Sequence, residues 1–124
     1  MKISTFLTVT AVVYIASGIA MILFPYDIFG ALGFDINADG AVLGRVVGAA
    51  IIGMGMMNFA GRNENAPSSA LKGILIGNMF YHALDVVFIF IATYTAVLNE
   101  FSWGMVGFHA VLTFGFAYFL MKKA

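Results

Sequence analysis

Four runs of about twenty residues or more, near 3–24, 41–60, 70–98 and 102–121, are apolar almost throughout. At 1.5 Å per residue, a helix of that length crosses a hydrocarbon layer roughly 30 Å thick. Backbone amides in lipid have no water to bond, so each run must satisfy them within itself, as a helix does. The expected fold is therefore all-α: an integral membrane four-helix bundle forming one domain over residues 1–124, with an interfacial loop at 25–40.

Composition agrees with that class. Apolar residues make up 62% of the chain and charged residues 10%, against roughly 45–50% and about 25% in soluble domains. Six Lys and Arg balance six Asp and Glu, so no basic surface points to nucleic acid. With no cysteine, disulfides, thiol nucleophiles and thiolate metal sites are excluded. Eight Met and fourteen Gly suit helices packed closely in lipid.

The first run, with Lys2 ahead of it, invites comparison with a secretory signal. It is longer than the usual 7–15 apolar residues, and Ser17-Gly18-Ile19-Ala20 is a poor cleavage site, so a retained helix is expected. Pro25 should end that helix. The connection to residue 40 is rich in turn-formers, yet Tyr26, Ile28, Phe29, Leu32 and Phe34 suggest that it lies in the membrane interface. Asp39 is a candidate N-cap for the second helix, and Ser68 or Ser69 for the third, after a polar connection from Gly61 to Pro67. Lys2, Arg62, Lys72, Lys122 and Lys123 fall on one side of four alternating helices, and Asp27, Asp35, Asp39 and Glu100 on the other. Basic loops stay cytoplasmic. Both termini are expected inside, in a bacterial-type inner membrane.

Polar residues within the runs mark where a site would be. Asn78, His82 and Asp85 fall at i, i+4 and i+7 of the third run, on one face of a helix. A charge at such depth costs at least about 2.5 kcal/mol unless it finds a partner or water. Counting at 1.5 Å per residue places Arg45 and Asp85 roughly 22–24 Å from the basic side. Tyr14, Gly48, His82 and His109 lie roughly 17–20 Å deep on the same count, with Ser17 level with Asp85. These residues are expected to share one polar layer, with Arg45 and Asp85 as an ion pair. Thr10, Tyr14, Ser17 and Met21 form one stripe of the first helix, and Ser102, His109, Thr113 and Phe116 one of the fourth. Both are expected to face inward or toward a partner. Gly44-x-x-x-Gly48, beside Ile52, should let another backbone approach, with Gly53, Gly55 and the neighbouring Met cluster extending that surface.

Each of these features has a purely structural reading. Arg45 and Asp85 can serve only to fix two helices together, and the histidines can be core donors bonded to Tyr14, Ser17 or Asn78. His82, His109 and Asp85 are ligand types that suit zinc or iron, but a complete protein ligand set is not evident and no H-E-x-x-H occurs. No metal is expected, and no cofactor is identifiable. There is no Gly-x-Ser-x-Gly, no phosphate loop and no carboxylate pair at helical spacing, so an enzyme is the least supported class. Trp103 and Tyr94 look like interface anchors.

Phe24-Pro25, Leu32-Gly33, Leu43-Gly44-Arg45-Val46-Val47-Gly48, Gly53-Met54-Gly55 and Arg62 together give a pattern over roughly residues 20 to 90. It resembles the DoxX-like small four-helix integral membrane proteins. That resemblance implies accessory subunits of quinone-linked oxidoreductases or membrane chaperones for receptor assembly, and it carries no catalytic motif onto this chain. The leading expectation is a non-catalytic accessory or assembly subunit of a larger membrane complex. Its partners would be the bilayer and a membrane protein or a second copy of itself. The alternatives are an intramembrane binding protein or carrier for a small amphipathic ligand (a quinone, a lipid or an apolar cofactor) and an oligomeric proton or ion pathway.

Overall fold

The computed structural model describes residues 1–64 and 68–123. It contains five helices, α1 (Ile3–Leu23), α2 (Pro25–Ala31), α3 (Ala38–Gly61), α4 (Ser69–Tyr94) and α5 (Ser102–Lys123), and no strand among the described residues. All except α2 are long and apolar enough to cross a membrane, with mean hydropathy from 1.6 to 2.2 over their most apolar windows. The chain divides into two compact units, Met1–Glu64 and Asn65–Ala124.

The segment expected as a loop at 25–40 holds a helix. Phe24 leaves helical geometry (φ −128°, ψ 51°), and Pro25 then occupies the first position of α2, where its fixed φ helps and its missing N–H costs nothing. Pro25 thus starts a helix as well as following one. Gly33, at φ 94°, closes α2. Its N–H donates to the Gly30 carbonyl and the Phe34 N–H to the Phe29 carbonyl, the Schellman arrangement that only a residue tolerant of positive φ permits cheaply. The Phe29 and Phe34 rings meet edge to face at 5.8 Å, supplying the apolar contact that accompanies such a stop.

Helix α3 begins three residues earlier than expected. Asn37, not Asp39, is its cap, accepting from Gly40 N–H at 2.9 Å. Asp39 lies in the first turn, where a carboxylate favours the helix dipole. For α4 the cap is Ser68, whose hydroxyl accepts from Leu71 N–H at 3.1 Å; residues 65–67 of the preceding connection lie outside the described residues. Helix α4 stops at Tyr94, not 98. Ala96 adopts φ 58°, and the N–H groups of Ala96 and Val97 turn back to Thr93 and Ala92.

In the first unit α1 and α3 are antiparallel, since Thr10 meets Asn58, Tyr14 meets Gly55 and Gly18 meets Gly48. The helices touch backbone to backbone. A Cβ on Gly18 would lie 2.5 Å from the Gly48 carbonyl oxygen, and one on Gly48 would lie 2.7 Å from the Gly18 carbonyl. Gly44 instead receives the Phe29 ring of α2, and Gly55 faces Ala11, Tyr14 and Ile15. Gly53 is exposed with open space around it, so it does not belong to this packing face. A buried hydrogen bond closes the far end, with Asn58 Nδ2 donating to Thr10 Oγ1 at 3.2 Å.

The second unit pairs α4 and α5, also antiparallel. His82 meets His109, and Phe90 meets Trp103 at a ring distance of 5.4 Å. Phe90 also stacks on Tyr94 at 6.0 Å, so the expected interface residues Tyr94 and Trp103 share one aromatic group near the turn.

Candidate functional site

The unusual residues of the second unit converge because helix spacing stacks them. On α4, Leu71, Leu75, Asn78 and His82 are buried and follow one another at intervals of four, three and four. On α5, Ser102, His109, Leu112, Phe116 and Phe119 are buried. His82 lies thirteen residues from Ser69 and twelve from Tyr94, at the middle of the longest helix. Any polar group there is far from water if α4 spans a bilayer.

Where the two stripes face each other, three titratable side chains meet. His82 Nδ1 and His109 Nδ1 are 2.8 Å apart. Asp85 Oδ2 is 3.2 Å from the same His109 Nδ1. The Tyr81 hydroxyl, one turn before Asp85, bonds the Asp85 carboxylate. His82 is 1% exposed and His109 7%, while the Asp85 side chain keeps 27%. The cluster is closed on its histidine side and open at its carboxylate edge. Phe116 stacks against the His82 ring at 5.9 Å and Phe108 meets His109 edge-on at 5.4 Å, so aromatic faces wall the imidazoles.

The distances restrict what the cluster can hold. Two ring nitrogens at 2.8 Å can present neither two lone pairs nor two N–H groups to each other, so one ring donates a hydrogen to the lone pair of the other. That hydrogen can belong to either ring. With Asp85 ionised, that proton sits on His109 Nδ1, where both the carboxylate and His82 Nδ1 can accept from it. With the proton on His82, the His109 lone pair would face a carboxylate oxygen, which is favourable only if Asp85 is itself protonated. Proton position and Asp85 charge are therefore tied together.

The remaining candidates are placed elsewhere. Asn78 is buried one turn before His82, its Nδ2 donating to the Ile74 carbonyl at 2.8 Å. Tyr14 is buried on α1 beside Gly55. Ser17 is exposed, contrary to its expected inward position, because Gly18 is the residue that lets α3 approach and Ser17 lies about 100° round the helix from it. Arg45 is exposed rather than part of a buried layer, and its Nε donates to the Ile22 carbonyl at 3.2 Å. Ile22 lies in the last turn of α1, which has no basic residue of its own. A cation there satisfies a free carbonyl and favours the dipole. Of the expected ion pair, Arg45 and its partner Ile22 belong to the first unit, and Asp85 and its partner His109 to the second.

The sequence reading missed Tyr81. Its i, i+4 spacing from Asp85 was available as a signal. Thr113, expected on the inward stripe, donates to the His109 carbonyl at 2.9 Å.

No protein-family model, curated protein or solved structure matches this chain. The geometry of the cluster therefore carries the functional reading.

Proposed function

We propose that this is a multi-pass integral membrane protein that binds a small amphipathic ligand through the His82–His109–Asp85–Tyr81 cluster. A head group able to accept or donate a proton would meet the carboxylate edge, and the apolar tail would lie along the exposed Phe, Val and Ile side chains of the same helices. The observation that supports this most is a proton-sharing histidine pair at mid-helix with an open carboxylate beside it. Ionisable groups in spanning helices are costly, and they generally mark a site or a path. Ligand sites combine apolar walls with a few convergent polar groups. Gentle purification into lipid nanodiscs followed by solvent extraction and mass spectrometry tests the idea. We expect one small apolar molecule with a hydrogen-bonding head to be enriched over bulk lipid, and Asp85→Asn to reduce it. Equal extracts from both proteins would end this reading.

A second reading is favoured by the outer surfaces of α4 and α5. Gly73, Gly77, Gly104 and Gly107 are exposed, with nothing within 4 Å of where a Cβ would stand, openings in which another helix backbone fits. This supports an accessory or assembly subunit, the role that the DoxX-like resemblance implies. The same purification reports it through any protein that co-purifies in fixed ratio.

Orientation is part of the proposal. The basic side, with Arg62 and Lys72, would be cytoplasmic. Because the chain has no native cysteine, Asp35→Cys and Asn63→Cys give clean probes. A membrane-impermeant maleimide should label Asp35→Cys in intact cells and Asn63→Cys only after lysis; the reverse pattern would invert the topology.

A further inference from the structure

We propose that, in the loaded protein, a divalent transition-metal ion takes the place of the hydrogen between His82 and His109, held by His82 Nδ1, His109 Nδ1 and an Asp85 carboxylate oxygen. This rests on the cluster being a binding site and goes beyond the head-group reading. The three donors belong to residues that can each offer one ligand atom, all within 4.8 Å of one another. Imidazole nitrogen with carboxylate oxygen suits copper, nickel, iron or zinc, and hardly magnesium or calcium.

Separations within the cluster refine the class. Metal–nitrogen bonds of about 2.05 Å put neighbouring ligands about 3.4 Å apart in a tetrahedron and about 2.9 Å apart at a right angle. The histidine nitrogens are 2.8 Å apart, which fits adjacent corners of a square or octahedral site. Copper(II) and nickel(II) take such sites, and two histidines with one carboxylate also form the iron(II) triad with open positions. Three protein donors leave further positions for water or another ligand, and the partly exposed Asp85 side is where they would enter. Tyr81, bonded to the Asp85 carboxylate, would orient that ligand from outside the metal's own shell, as partners of metal-bound carboxylates do. Binding needs both Nδ1 atoms free of hydrogen, so the metal replaces the shared proton.

The test uses the full chain in nanodiscs, stripped with a chelator and titrated with copper(II) alone. Electron paramagnetic resonance should show one copper per chain with coupling to two imidazole nitrogens. His82→Gln and His109→Gln, chosen to keep hydrogen-bonding capacity, should each leave coupling to one nitrogen. Asp85→Asn should keep two nitrogens and weaken binding by about 10-fold or more. Phe108→Leu, outside the donor set, should match the parent. Helical circular dichroism confirms that each variant is folded, and the nitrogen count reads the site even in a weakened protein. Absence of copper from a fully helical parent, or a nitrogen signal indifferent to both histidine variants, overturns the metal site. If the extracted small molecule is still enriched while copper is not bound, the metal inference alone fails. If copper binds and no small molecule is enriched, only the proposed function fails.

Discussion

Gly48→Ala is expected to destabilise the first unit by about 1–3 kcal/mol, the usual cost of forcing atoms into a packed interface. The added methyl would meet the Gly18 carbonyl oxygen at 2.7 Å and side-chain atoms of Met21 and Ile22 at 3.1 Å. The first of these is backbone, which cannot swing aside as the end of a side chain can. Gly18→Ala should behave alike, meeting the Gly48 carbonyl at 2.5 Å and Ile52 Cγ1 at 2.6 Å. The two changes act on one contact, so their double variant should cost less than the sum of the singles. Gly53→Ala is the control. Nothing lies within 4 Å of its Cβ position, and replacing a mid-helix glycine by alanine gains up to about 1 kcal/mol of helix propensity. Unfolding in detergent mixtures with a rising fraction of denaturing detergent measures all of these. A Gly48→Ala midpoint at or above the parent's, with Gly53→Ala below it, would show that α1 and α3 do not meet at Gly18 and Gly48.

His109→Leu is expected to cost more than the apolar double variant His82→Leu/His109→Leu. The single change removes the ring nitrogen that lies 2.8 Å from the buried His82 Nδ1 and 3.2 Å from Asp85 Oδ2. Losing one such contact from a buried polar atom costs about 1–3 kcal/mol, whereas replacing both rings by apolar groups is close to neutral. Asp85 keeps the Tyr81 hydroxyl and a partly open side, so its own contribution to the loss is smaller. The same unfolding measurement decides it: the midpoint should fall in His109→Leu and recover in part in the double variant. A further fall in the double variant would mean that the two imidazoles are not mutual partners. Recovery of stability should come without recovery of ligand or copper binding, which separates the structural role of the pair from its chemical one.

The pattern of residues along the chain was enough to give the helical class and the four long apolar helices, because apolar run length and backbone hydrogen bonding within a helix act locally. It was also enough to put His82 and Asp85 on one face, since 3.6 residues per turn fixes that relation before any packing occurs. Caps were legible only in part. Ser68 was among the candidates, whereas Asn37 and Asp39 are chemically equivalent choices two residues apart, and the selection rests on which side chain reaches a free N–H. The end of α4 left no mark at all, because its left-handed stop is occupied by Ala96 and not by glycine.

What the tertiary structure alone decided is partnership. Counting residues gives depth along a helix and says nothing about rotation against a neighbour, so a shared height suggested Arg45 for Asp85. The coordinates give Asp85 to His109 and Arg45 to the last turn of α1. Rotation of α1 is set by the Gly18–Gly48 contact, which turns Thr10 and Tyr14 inward and leaves Ser17 exposed. The His82–His109 contact joins residues 27 positions apart on separate helices, and no local rule links them. Only the packing of α4 on α5 brings two imidazoles and a carboxylate together around His109 Nδ1.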